Sequence, residues 1–280
     1  MDLDPEPVLM GILNVTPDSF SDGGDFLEPD KAVVRAVSLL DEGALIVDIG
    51  GESTRPGSDP VSPNEELRRV MPVLRGILVA RPEAVISIDT YRASTAEAVL
   101  DAGARIINDV TALGDPRMAS MVADRECSIV LMHMQGEPKS MQHDPRYEDV
   151  VREVRDFLAR RIERALQAGV KEDNIVIDPG IGFGKSLEHN LWLLNRLDIL
   201  VVEFGFPVLV GTSRKSFLSK IVSSGSPKDR LFGTIATNVI AYEKGASLFR
   251  VHDVRANKEA LAVTAALRGL NQLCSQSGEV

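Results

Sequence analysis

Eight short apolar runs in this chain each end in side chains that carry charge or hydrogen-bonding groups. In order, the ends offer Asn14, Asp48 with Glu52, Asp89, Asn108 with Asp109, His133, Asp178, Ser213-Arg214-Lys215, and Arg250 with His252. Asp89, Asn108 and Asp178 supply acceptors and an amide, which suit a flat heterocycle bearing several N–H donors. The cations Arg55, Lys185, Arg214, Lys215 and Arg250 lie in or just after such ends. A buried cation requires an acidic partner or a bound anion, and phosphate or pyrophosphate is the natural anion. The segment 216–222 reads as a helix whose first amides would add to anion binding. A phosphorylated or pyrophosphorylated heterocycle fits both groups.

Alternation along a strand sharpens the set, because residues two apart share a face. Ser87 shares a face with Asp89, Arg250 with His252, and Ile12 with Asn14. Asp48, four residues before Glu52 across two glycines, is placed to orient basic neighbours. Each residue taken singly has a duller explanation. Asp178 precedes Pro179, a pair that often only forms a turn. Asp109 could satisfy local backbone, and His133 in an apolar run reads at least as well as a hydrogen-bonded core residue. That objection is weaker for His252, which has Arg250 beside it.

The runs that carry these residues are 8–15, 44–51, 85–90, 106–110, 128–134, 175–180, 207–213 and 248–254. They are near-continuously apolar, as strands of a parallel sheet buried on both faces must be. Helical periodicity lies between them. Val33, Val37 and Leu40 share a face over 30–43, with Asp30 as N-cap and Gly43 as stop. Ser62 to Glu65 reads as a capping box with proline at the first helical position, and Pro72 is expected to kink or split the helix that follows. Ser94 and Glu97 read as another box. Val150 to Ala165 gives the longest helix, closed by Gly169. Leu191, Leu194 and Leu197 line one more, and Ile235, Val239 and Tyr242 the last before Gly245. Eightfold strand–helix alternation predicts an α/β fold, a (β/α)8 TIM barrel, in which the strand ends gather at one face. The rival, an open doubly wound sheet, would want a G-x-G-x-x-G after its first strand, and that pattern is missing. Three long connections, 15–30, 51–62 and 135–146, lack helical period and imply a use at the mouth.

The 280 residues suit one barrel domain, with a core over about 8–272 and a short tail at 273–280. With 44% hydrophobic and 26% charged residues the chain is ordinary for a globular protein. A net charge of −10 argues against nucleic-acid and anionic-membrane partners. Cys127 and Cys274 lack metal-ligand spacing and read as incidental thiols of a reducing cytoplasm. No basic leader opens the chain and no apolar run is long enough for a membrane span. A cytoplasmic protein is expected.

Longer motifs occur in the same order: GILNVTPDSFSDGG (11–24), DIGGESTRPG (48–57), SIDT (87–90), INDV (107–110), LMHMQGEP (131–138), DPGIGFGK (178–185), GTSRKSF (211–217) and RVHDV (250–254). Together they resemble the dihydropteroate synthase family of folate biosynthesis over nearly the whole chain. The resemblance implies condensation of 6-hydroxymethyl-7,8-dihydropterin diphosphate with p-aminobenzoate, giving 7,8-dihydropteroate and pyrophosphate. It implies that Asp89, Asn108, Asp178 and Lys215 hold the pterin, with Met132 and Phe183 packed near its ring. Arg250 and His252, with Asn14, would hold the diphosphate, and Asn14 would also ligate Mg2+. Phe20, Thr54, Arg55, Pro56 and Ser213 would shape the p-aminobenzoate pocket, where sulfonamides compete, and loops 15–24 and 51–58 would close over it. The implied mechanism is SN1-like, with Asp89, Asp178, Lys215, Arg250 and His252 as the catalytic set, and the family implies a homodimer. The length leaves no room for the pyrophosphokinase fused to some relatives. A related pterin-binding barrel, the methyltetrahydrofolate:corrinoid methyltransferase, is the runner-up. It has no need of the TPDSFSDGG loop or of Ser213-Arg214-Lys215. A non-catalytic paralogue is a third reading, but the loop motifs and Arg250 are all present.

Overall fold

A computed structural model describes residues 6–16, 28–53, 58–137, 139–222 and 225–277. Among them, the apolar runs form eight strands: β1 (Val8–Asn14), β2 (Ile46–Gly50), β3 (Val85–Asp89), β4 (Ile106–Asp109), β5 (Ser128–Met132), β6 (Ile175–Asp178), β7 (Leu209–Val210) and β8 (Leu248–Val251). Helices between and after them are α1 (Glu28–Asp41), α2 (Pro63–Ala80), α3 (Ala93–Asp101), α4 (Met118–Arg125), α5 (Val150–Gln167), α6 (Leu187–Asn195), α7 (Leu197–Phe204), α8 (Ser216–Val222), α9 (Leu231–Glu243) and α10 (Val254–Ser277). Every pairing is parallel, in the order β6-β5-β4-β3-β2-β1-β8-β7. A parallel bridge between Ile177 and Val208 joins the two ends of that order. The sheet therefore closes, and the barrel prevails over the open sheet.

Alternation divides the apolar side chains into two cores. Met10, Ile46, Val130 and Leu209 cluster separately, flanked by Val8, Val85, Ile106, Val176 and Leu248, and fill the lower barrel interior. The other strand face, including Leu9, Val47, Ile49, Ile86, Ile107, Ile129 and Phe249, packs beneath the helices. Gly11 belongs to that outer face. A Cβ there would lie 3.1 Å from Leu39 Cβ, so glycine admits α1 close against β1. With the lower interior filled, the inward positions left at the C-terminal ends are the polar ones.

Several helical expectations are corrected. The helix over 28–41 begins before Asp30, which lies inside its first turn, and its buried stripe is Ala32, Ala36 and Leu39. Pro72 does not split α2, because it faces solvent while Val70, Val73, Leu74 and Ile77 anchor the helix on both sides of it. Ser62 caps α2 by accepting from Glu65 N, but the Glu65 carboxylate turns instead to Arg68 and Arg69. Ser94 caps nothing: α3 starts at Ala93, whose N–H donates to Asp115 from the loop after β4. The stretch read as one helix through Leu197 is two, broken at Arg196, with Leu191 on the surface. Two helices, α4 and α10, carry no expectation above. The 24-residue α10, not α5, is the longest, and it continues to Ser277 through most of the supposed tail. Burial pushes the Cys127 thiol up to about 11, in keeping with an inert core cysteine.

Candidate active site

On the β1–β4 side, inward side chains lie in level rows. Asn14 pairs with Gly50, Gly50 with Asp89, and Asp89 with Asn108. A Cβ on Gly50 would lie 3.5 Å from Asn14 Oδ1 and 3.8 Å from Asp89 Cβ, so the missing side chain leaves these two residues open to each other. One row down, Asp48 is fully buried. Its Oδ1 accepts from Ser87 Oγ at 2.6 Å, and its Oδ2 accepts from Asn108 Nδ2 at 3.2 Å and from Arg250 Nε at 2.6 Å. Arg250 also donates from Nη2 to Asp89 Oδ2 at 3.0 Å. Asp48 thus orients both a cation and an amide of the predicted set. Burial pushes Asp89 up to about 7, with the Asp48 charge adding to it and Arg250 opposing. The Arg250 guanidinium is held above its ordinary value by Asp48 and Asp89, against the effect of burial.

The β5–β7 side is built differently. Met132 and Asp178 face each other in register at the ends of β5 and β6, and both are buried. Asp178 Oδ1 accepts from Gly180 N at 2.7 Å. Burial raises its pKa, and Lys215, the Gly180 amide and Lys185 pull it back. The loop after β6 then passes through Gly180, Gly182 and Gly184, all with positive φ. A Cβ on Gly180 would stand 1.8 Å from His133 O, which no side chain tolerates. Phe183 sits in this loop, half-buried, with Lys215 Nζ 4.4 Å from its ring centroid. Lys215 also donates to Ile181 O. Burial and the Arg250 charge push its ammonium down to about 8, Asp178 and Asp89 opposing.

Between the two sides lies the turn after β7. His252 N donates to Ser213 Oγ at 3.1 Å, and the same hydroxyl lies 2.9 Å from His252 Nδ1. Ser213, which the resemblance places in the aminobenzoate pocket, is thus engaged with His252. Arg214, in left-handed conformation, turns away to pair with Asp253 through Nε at 3.0 Å and Nη2 at 2.5 Å. Behind this turn, Thr212 donates to Asn238 of α9, and Asn238 to Asn257 of α10, each at 2.9 Å.

Among the described cations of the predicted set, every one has a partner inside the protein. Arg214 has Asp253, Arg250 has two aspartates, and Lys215 has Ile181 O and the Asp178 charge. Lys185, 3% exposed, lies among backbone carbonyls and His133. Arg214 thus takes the acidic partner expected of a buried cation, and Lys185 needs neither an acidic partner in contact nor a bound anion. His133 and Asp109 take their duller readings: burial pushes His133 down to about 2, and Asp109 accepts from Thr111 and Leu113 N–H groups of its own loop.

Comparison with known proteins agrees with this architecture. The family of pterin binding enzymes matches residues 10–252. A dihydropteroate synthase of Haemophilus influenzae is 45% identical over 258 residues, 92% of either chain. The chain belongs to the pterin-binding enzyme family, among the dihydropteroate synthases. Within that family, the solved Xanthomonas albilineans dihydropteroate synthase in complex with 7,8-dihydropteroate superposes with a TM-score of 0.85. It is 42% identical, over 96% of this chain and 95% of that one. A Yersinia pestis dihydropteroate synthase with a sulfonamide drug gives 0.88 at 44% identity, over 96% of each chain.

Against the family expectation, Asn14, Asp89, Asn108, Met132, Asp178, Phe183, Ser213, Lys215, Arg250 and His252 come together at the C-terminal mouth. Phe20, Thr54, Arg55 and Pro56 lie outside the described residues. The sequence reading missed the frame that joins Glu52 to α2 and α3. There Arg92 pairs with Glu52 at 2.7 Å and Glu66 at 2.9 Å, Tyr91 donates to Glu52, and Thr95 to Glu66. Buried Glu66 on an otherwise apolar helical face was the available signal. The Thr212–Asn238–Asn257 network was legible the same way, since Thr234, Asn238 and Ala241 share the buried face of α9.

Proposed function

We infer that this chain is a dihydropteroate synthase that joins a dihydropterin diphosphate to p-aminobenzoate, releasing pyrophosphate. The observation that carries this is one mouth holding both an acid-amide set and a cationic set, in a chain of this family. Asp178, Asn108 and Asp89 face the barrel axis as acceptors and an amide for ring N–H groups, with Met132 and Phe183 as apolar walls. Arg250 and His252 stand on the same face of β8 and its extension, toward the diphosphate.

The C–O bond to the diphosphate breaks, and both electrons leave with the oxygen. The aniline nitrogen then forms the C–N bond to the exocyclic carbon and loses a proton to solvent. Such a path needs no nucleophile and no strong base from the protein. What it needs is charge placed in advance for separating ions. Ionised Asp178 and Asp89 favour positive charge spreading into the ring, while Arg250 and His252 favour the negative charge leaving it. Lys215, between the two sets, offers an ammonium to the ring's oxygen side.

The Asn14 amide oxygen stands over Gly50 at this mouth, and no trio of His, Cys, Asp or Glu able to hold a metal occurs among the described residues. That donor set fits Mg2+, which keeps water and substrate phosphate oxygens as ligands rather than a protein cage. Bound there, Mg2+ would neutralise charge on the diphosphate. Loss of the Mg2+-dependent part of diphosphate affinity in Asn14→Ala, read by calorimetry, is the expected result; an unchanged Mg2+ dependence removes Asn14 from the site.

A homodimer is supported by apolar exposure on one side of the barrel. Ile221 on α8, Phe232 and Ile240 on α9, and Val263 on α10 are all solvent-facing, and α9 packs against both α8 and α10. Sedimentation should give a dimer that Phe232→Glu weakens. No helix among the described residues is long and apolar enough to cross a membrane, and a cytoplasmic location agrees with the unreactive thiol of Cys127. The function is tested by pyrophosphate release that requires both substrates and Mg2+. Methyl transfer to a corrinoid protein instead would overturn it.

A further inference from the structure

We infer that Lys185 is a positioning residue for the pterin pocket: its buried side chain holds the 179–184 loop in the shape that presents Asp178 and Phe183. This deepens the pterin-binding reading above and rests on it.

The neighbours that the Lys185 amine touches are backbone carbonyls and an imidazole, not carboxylates. Nζ lies 2.9 Å from His133 Nδ1, 2.9 Å from Gly180 O and 2.9 Å from Phe183 O, with His133 O farther off at 3.3 Å. An ammonium meets the three contacts at 2.9 Å with its three N–H bonds, and a neutral amine meets them by donating to the two carbonyls and accepting from Nδ1–H of His133. In either form both loop carbonyls accept from Lys185. Burial, with the Lys185 charge, disfavours the His133 cation. Burial pushes the Lys185 ammonium well down, with the Asp178 charge opposing.

The loop needs such a tie. Glycines at 180, 182 and 184 hold φ of 67°, 85° and 58°, and glycine has little preference for one conformation over its mirror. A loop of this kind takes its shape from its partners. Lys185 takes the carbonyls of residues 180 and 183, and Lys215 takes that of 181. Between them the two lysines take three carbonyls of one loop. Fixing Phe183 O places its ring under Lys215 Nζ, and fixing Gly180 O steadies the residue whose N–H Asp178 accepts. The Lys185 charge also favours the ionised form of Asp178, which is the form a ring N–H requires. His133 and the Phe157 ring, 4.9 Å away edge-on, close the back of the site.

The test uses Lys185→Met, which keeps the stem and removes the amine with its three contacts. Binding of a dihydropterin without diphosphate is followed by calorimetry against pH, alongside KM for each substrate. The expected loss is about tenfold or more in pterin affinity, with a KM for p-aminobenzoate that moves far less. The acidic limb of pterin binding should shift to higher pH, because Asp178 loses a favourable charge. A purely architectural lysine would leave that limb in place. Should Lys185→Met fail to fold, His133→Leu against His133→Asn decides: Leu removes a polar partner and should weaken pterin binding, and Asn should restore most of it. Wild-type pterin affinity with an unmoved limb in the folded Lys185→Met, or equal binding by the two His133 variants, would overturn the inference. Failure of the unaltered protein to bind any dihydropterin would overturn the functional reading itself.

Discussion

The two halves of the mouth bury acids and cations at similar depth but hold them by opposite means. On the β2–β3–β4–β8 side, Asp48, Asp89, Asn108 and Arg250 all stand on strands and satisfy one another side chain to side chain. On the β5–β6–β7 side, Asp178 and Met132 stand on strands, but Lys185, Phe183 and Lys215 come from loops whose contacts are mainly backbone. The first half is a preformed charge array in which each member needs its partners. The second is a shaped loop that needs its glycines and its lysines. A preformed array suits the handling of separating charge, and a shaped loop suits fitting a ring.

The largest predicted effect breaks the first half. Arg250→Ala leaves fully buried Asp48 without its cation and should cost about 3–5 kcal/mol of stability, read by denaturant unfolding. A cost near zero would mean the array is not held by ion pairing. In the second half, Asp178→Asn keeps the shape but turns an acceptor partly into a donor. It should weaken pterin diphosphate binding by about 1.5–3 kcal/mol, and near-normal affinity in calorimetry would remove Asp178 from the pocket.

Lys215 gives a pH signature of opposite sign for stability and for binding. Its folded pKa of about 8 is below the ordinary 10.5, so between these values the unfolded chain binds more protons than the folded one. Stability of the unliganded protein should therefore gain from this group as pH rises from 8 toward 10.5. Affinity for the dihydropterin ring should fall over the same rise, as the ammonium is lost. Lys215→Met should remove both slopes. The smallest effect belongs to the seam between the halves. Ser213→Ala removes the hydroxyl that His252 uses twice and should cost about 0.5–1.5 kcal/mol in diphosphate binding, with pterin binding unchanged.

The same contrast explains what was legible in the sequence. Period two and apolar runs revealed the barrel and every strand-borne member of the first half, because strand geometry alone fixes where Asp48, Asp89 and Arg250 point. In the second half Asp178 and Lys215 were legible at the ends of apolar runs. The loop between them was legible only as a motif, DPGIGFGK, since no periodicity tells that Lys185 turns back onto carbonyls of residues 180 and 183. Its presence in the anion-binding group was an error of that kind: charge was visible and its backbone partners were not. Helix caps failed where tertiary contacts replaced local ones, as when Asp115 took the place of Ser94 at the start of α3. Asn238 stood out on the buried face of α9, but its partners Thr212 and Asn257 lie on other elements.

The central claim is that one half of the mouth binds the ring and the other the departing diphosphate. Calorimetry of Arg250→Ala and Asp178→Asn, each against the dihydropterin with and without its diphosphate, tests it directly. Arg250→Ala should lose most of the increment that the diphosphate adds while keeping more of the affinity for the bare ring. Asp178→Asn should lose affinity for both ligands alike. The same pattern of losses in the two variants would contradict the division and leave a single undivided site.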